Sequence, residues 1–89
     1  MAFWIKANGE VTKVEPKNGS NFTLEELHRL VDGYIKIVPA NKPNTMLVIN
    51  EEGKLNDLPV NILATALYVH GAIDPIVGDV LWCSNKEIK

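Results

Sequence analysis

Glycine and proline cut this chain into short stretches, none approaching the ~20 apolar residues of a membrane span, and the stretches switch between strand-like and helix-like patterning. Ala2 to Ala7 is rich in aromatic and β-branched residues and runs into Asn8-Gly9, a dipeptide that supplies the positive φ of a tight hairpin turn. The second arm, Val11-Thr12-Lys13-Val14-Glu15, stops at Pro16, which cannot donate to a ladder and so belongs at a sheet edge. After a polar loop from Lys17 to Phe22, Thr23-Leu24-Glu25-Glu26 has the form of a capping box. Thr23 accepts from the Glu26 amide while the Glu26 carboxylate reaches back to the Thr23 amide.

In the helix that begins there, Leu24, Leu27, Leu30 and Val31 share one face, Glu25, Glu26, Arg29 and Asp32 turn to solvent, and Gly33 offers the left-handed conformation that ends it. Tyr34-Ile35-Lys36-Ile37-Val38 alternates as a strand until Pro39. Beyond the Asn41-Lys42-Pro43-Asn44 loop, Met46-Leu47-Val48-Ile49 reads as a central strand covered on both faces and paired with the strand before it. Pro59 suits the first turn of a second helix, with Ile62, Leu63, Ala66 and Leu67 as a narrow apolar stripe before Gly71. A last strand runs from about Val77 to Cys83. The order ββαββαβ, without internal repeats, predicts a single α+β domain over 1–89, in which a hairpin at 2–15 joins a core at 22–83. Two helices pack on a mostly antiparallel sheet of four or five strands. Short connections confine parallel pairing to strands that flank a helix.

A chain of 89 residues lies near the size at which one hydrophobic core only just outweighs chain entropy, so burial between copies, and hence a homo-oligomer, is expected. Hydrophobic residues at 46% and charged residues at 22% describe a folding chain rather than a disordered one. A formal net charge of -2 gives no long-range field for DNA or RNA and is too small for a polyanion mimic. The lone Cys83 has no internal disulfide partner, no Cys/His cluster has metal-ligand spacing, and Met1-Ala2-Phe3-Trp4-Ile5-Lys6 is too short and wrongly flanked for a signal peptide. The expectation is a cytoplasmic protein with no metal, no cofactor, no membrane partner and no nucleic-acid partner.

Glu51-Glu52-Gly53-Lys54-Leu55 reads either as a solvated hairpin turn, with Gly53 chosen for positive φ, or as a rim at which Lys54 contacts a phosphate or carboxylate. Adjacent Glu51 and Glu52 point to opposite faces of an extended segment, which disfavours a two-carboxylate enzyme. Asn61 sits at the start of the second helix, where free N–H groups favour an anion, and Thr65 lies one turn on, on the same face. The alternative is that Asn61 bonds the preceding turn and Thr65 the carbonyl four residues back. Tyr34, Trp4 and Trp82 are core aromatics or, if half exposed, stacking platforms. His28 and His70 have no nucleophile pattern beside them and read as surface or capping groups, Cys83 as a small buried apolar residue, and Asp79 beside Gly78 as a turn residue or an acceptor for a guanine edge.

Taken together, Gly33-Tyr34-Ile35, Glu51-Glu52-Gly53-Lys54-Leu55, Leu58-Pro59 with Asn61, Ala64-Thr65 and Ile76-Val77-Gly78-Asp79-Val80 resemble a family of small proteins of bacteriophages, plasmids and gut and soil bacteria known only as a domain of unknown function. The likeness covers about Phe22 to Trp82. It carries no catalytic residues across. What it implies is context: a phage or mobile-element accessory protein of the kind that disarms host defence, as anti-CBASS-like proteins do. In that context the chain is expected to be a non-enzymatic binding protein that sequesters a small host molecule, a cyclic nucleotide immune signal, in pockets of a homo-oligomer. Lys54, Arg29 and Lys36 would meet phosphate, Asn61 and Thr65 polar edges, and Tyr34 or Trp82 a base. The alternative is an inhibitor or accessory factor that blocks a host enzyme through an exposed strand edge or a Trp-bearing patch, with no small ligand.

Overall fold

The computed structural model describes residues 1–88. Five strands, Ala2–Ile5 (β1), Val11–Val14 (β2), Ile35–Pro39 (β3), Thr45–Asn50 (β4) and Val80–Ser84 (β5), form one open sheet in the order β2-β1-β5-β4-β3. Every pairing in it is antiparallel. The helix-flanking strands therefore do not pair in parallel: β2 and β3 end up on opposite edges, and β4 and β5, which flank the second helix, run antiparallel. The chain from β4 to β5 folds back on itself instead of crossing over to return in the same direction.

The helices Leu24–Val31 (α1) and Ile62–Leu67 (α2) lie on opposite faces of the sheet. Strand alternation builds both cores at once. On β4, Met46 and Val48 face α1 while Leu47 and Ile49 face α2; on β5, Leu81 and Cys83 face α1 while Val80 and Trp82 face α2. The expectation of a central strand covered on both faces holds for β4, with Leu47 and Val48 fully buried. Truncating either Leu47 or Leu81 to Ala removes atoms from a closed core and carries the usual cost of ~2–5 kcal/mol.

The capping box forms as the sequence requires: Glu26 N–H donates to Thr23 Oγ1 at 3.1 Å and Thr23 N–H to Glu26 Oε1 at 2.8 Å. The helix stops one residue earlier than expected. Asp32, not Gly33, takes the left-handed conformation at φ 60 and ψ 48. Gly33 is needed instead for space, since a Cβ there would stand 2.7 Å from Asn50 Nδ2, the group that donates to the Val31 and Asp32 carbonyls. Gly53, expected to supply a positive φ, has none; its missing Cβ makes room for Val77 Cγ2, which would be 2.8 Å away.

The second helix differs most from expectation. It begins after Asn61, its N-cap, so Pro59 precedes the helix and Val60 bridges Val77. It ends at Leu67, and of its expected stripe only Leu67 is half-buried, while Ala64, outside that stripe, is the residue fully enclosed. Val77 is not in the last strand, which starts at Val80 after Gly78 turns with φ 79. No helix among the described residues is long and apolar enough to cross a membrane.

Candidate functional site

Asn61 reads from the sequence either as a polar edge beside a helix-end anion site or as a bond to the preceding turn, and the geometry gives it structural work. Its side chain is only 1% exposed. Oδ1 accepts from Ala64 N–H at 3.0 Å, and Nδ2 donates to the carbonyls of Ile5 and Gly78, each at 2.9 Å. One amide thus caps α2 and ties it to β1 and to the turn before β5. Thr65 Oγ1 donates to the Asn61 carbonyl at 2.8 Å and accepts from Ile76 N–H at 2.9 Å. Both residues are saturated by the fold, and α2 is six residues long, with its Ala64 N–H already taken by the Asn61 side chain.

Lys36 and Lys54 do come together. They line a small cavity of about 120 Å³ on the α2 face, with Val38, Ile49, Glu51, Tyr68, Asp74 and Pro75 around them. Lys54 forms an ion pair with Asp74, and this hydrogen bond holds the Asp74 carboxyl below the usual carboxylate range. Tyr68, which sequence reasoning missed, stands edge-on to His70 with ring centroids 5.5 Å apart. The cavity is well under the ~300 Å³ at which small-molecule sites begin.

The remaining candidates lie elsewhere. Arg29 is exposed on α1, and Tyr34, 65% exposed just beyond that helix, meets His28 edge-on at 5.8 Å. Trp82 is half-buried on the α2 face against Phe3, ring centroids 5.9 Å apart, and its Nε1 is buried with no acceptor among the described residues. Trp4 is structural: its Nε1 donates to the Leu30 carbonyl at 2.9 Å, binding β1 to α1. Asp79 is the turn residue expected, its Oδ1 accepting from Ala7 N–H at 2.9 Å and anchoring the N-terminal hairpin. Cys83 is buried, and burial pushes its thiol up to about 12, well away from thiolate chemistry.

What the sequence reading passed over is the surface around α2. From Leu58 to Val69 no charged residue occurs, and α2 is apolar on its outer side as well as its inner one. Ile62 is 78% exposed and Leu63 46%, with Val60 and Val69 exposed nearby. Beside them a groove of about 350 Å³ runs between Phe3, Ile5, Val11, Leu63, Ala66, Leu67 and Trp82, all apolar. An amphipathic helix at a solvent boundary carries polar residues outward; one that is apolar all round belongs in an interior. The run without charge was the available signal in the sequence, but periodicity alone assigned its residues to the core.

No curated protein and no solved structure matches the chain. A family match does cover residues 4–89, taking in the N-terminal hairpin as well as the core, and its description is a domain of unknown function. The chain belongs to that family, DUF3846.

Proposed function

We propose that this chain is a non-enzymatic protein-binding module that associates with a second copy of itself through the surface around α2. The observation that carries the reading is the uncharged outer side of α2, with Ile62 and Leu63 projecting beside the groove lined by Phe3, Val11 and Trp82. A projecting apolar ridge next to an apolar groove on one patch is what a two-fold interface uses, because each copy then offers both halves of the contact. A standard interface takes ~800 Å² per partner, roughly a seventh of the 5440 Å² that this small chain exposes.

A second reading, sequestration of a cyclic nucleotide, is favoured by one observation: Lys36, Lys54 and Tyr68 share a cavity on the same face as α2, so a second copy seated there would help to wall it. Lys54 would meet phosphate and Tyr68, in place of Tyr34 or Trp82, would meet a base. Against it stand the cavity's size and the scattering of Arg29, Tyr34 and Trp82. Incubation with a panel of cyclic di- and trinucleotides, followed by chromatography of the supernatant and of the heat-denatured protein, separates the cases. The protein-binding reading predicts nucleotides unaltered and not retained. Intact nucleotide released on denaturation replaces it with sequestration, and altered nucleotide replaces it with catalysis.

A further inference from the structure

The free edge of β3 has a donor and acceptor pattern of its own. Glu51 N–H donates to the Tyr34 carbonyl at 2.8 Å and Ala40 N–H to the Thr45 carbonyl at 3.4 Å, at the two ends of a register that pairs Ile35 with Asn50 and Pro39 with Met46. Because hydrogen-bonded pairs alternate along an antiparallel ladder, Lys36 and Val38 turn their backbone groups to β4. Ile35 and Ile37 therefore present N–H and C=O outward at the sheet edge, and the open stretch ends at Pro39, beyond which Ala40 bridges Tyr68 and Asn41 N–H donates to the Leu67 carbonyl at 2.7 Å.

Each side of this edge is distinct. Toward α1 lies a trough of about 400 Å³ between the strand and the helix, walled by Phe22, Leu24, Leu27, Ile35, Ile37 and Ile88. Toward α2, Lys36 is exposed and forms no ion pair among the described residues. The edge is poorly matched to a copy of itself. Antiparallel pairing that uses Ile35 and Ile37 reciprocally sets Lys36 opposite Lys36, a like-charge pair. A shift one way brings Pro39, without an N–H, opposite Ile35; a shift the other way needs the Gly33 N–H, already donated to the His28 carbonyl.

We propose that β3 and the trough beside it take an extended segment of another protein by strand addition, with apolar side chains at alternate positions and an acidic side chain between them. The backbone of that segment pairs with Ile35 and Ile37. Its two apolar side chains fall on the α1 side and fill the trough, and its acidic side chain falls on the α2 side, opposite Lys36. Complementary charge at Lys36 thus selects a foreign strand where it rejects β3 of a second copy. The inference rests on the reading of this chain as a protein-binding module but uses a surface separate from α2.

The test is fluorescence anisotropy with a labelled, capped peptide centred on valine-glutamate-valine, against the same peptide with lysine replacing the glutamate. Lys36→Glu should weaken binding of the glutamate peptide at least tenfold and reverse the preference in favour of the lysine peptide. Ile37→Pro removes an outward N–H without touching the β4 ladder and should abolish binding of both, with far-UV circular dichroism unchanged. In the wild-type chain the glutamate peptide should slow hydrogen exchange at the Ile35 and Ile37 amides. Absence of binding, or binding indifferent to Lys36 and Ile37, overturns the proposal. Light scattering on the same samples separates the failures: a chain that associates through α2 but binds no peptide refutes the β3 site alone.

Discussion

Asn61 shows how a residue type that suits a ligand can be consumed by the fold. A buried amide has two donors and an acceptor to satisfy, and here the Ala64 amide and two carbonyls 17 and 56 residues away in sequence satisfy them. Asn61→Ala leaves the Ala64 N–H and the Gly78 carbonyl unpaired in the interior, at ~1–3 kcal/mol each, and leaves the Ile5 carbonyl with its ladder pairing to Val80 alone. Urea denaturation should therefore show a loss of at least ~2 kcal/mol, and a loss confined to the ~1 kcal/mol of a simple cap would mean that the Gly78 carbonyl finds another partner. Glu26 makes a second residue-scale prediction. Its carboxylate accepts N–H bonds from Thr23 and from Lys17, and the Thr23 bond first of all holds its pKa below the ordinary 4.5. A depressed folded pKa stabilises the fold above the unfolded value, and that contribution is lost as pH falls through the folded one. Thermal melts from pH 6 downward, roughly the range around a carboxylate pKa, should show the wild-type chain losing stability more steeply than Glu26→Gln. Parallel acid limbs would contradict the capping geometry.

Among the elements, those set by local chemistry were legible and those set by tertiary contact were not. The Asn8-Gly9 hairpin, the Thr23 capping box and the pairing of β3 with β4 each rest on residues close in sequence, and each forms as expected. The start of α2 could not be read that way. Pro59 is a good first-turn residue, but the Pro59 carbonyl accepts from Gly78 N–H and Val60 bridges Val77, so a contact across 19 residues holds the segment extended and delays the helix to Ile62. The same holds for Asn61 and Thr65: the bond from Thr65 to the carbonyl four residues back was legible as the alternative, but the ties to Ile76 and Gly78 that also occupy the two side chains were not. Gly71 carries the prediction for this element. A Cβ there would land on the Thr65 carbonyl oxygen, backbone that cannot swing aside. Gly71→Ala should cost ~1–3 kcal/mol by forcing α2 to shift, the usual scale of overpacking. A neutral effect on the denaturation midpoint would show that the turn after α2 is looser than its contacts imply.

At the scale of the whole molecule, one small sheet serves two cores, and the two helices that cover it are unlike. The exposed side of α1 bears Glu25, Arg29 and Asp32 and is finished as a solvent surface, though Leu24 remains exposed at its N-terminal end. α2 has no charge on any side and covers its face only in part, leaving the Phe3–Trp82 groove open. This asymmetry is what supports the proposed association with a second copy through the α2 surface. Light scattering at micromolar concentration, on the wild-type chain and on Ile62→Lys, tests this most directly, because Ile62 is exposed in the single chain and its replacement should not disturb the fold. The account predicts at least twice the mass of one chain for the wild type and a shift toward the single-chain mass for Ile62→Lys, with circular dichroism unchanged. A wild-type chain at the mass of one copy, or an oligomer that Ile62→Lys leaves intact, would contradict it.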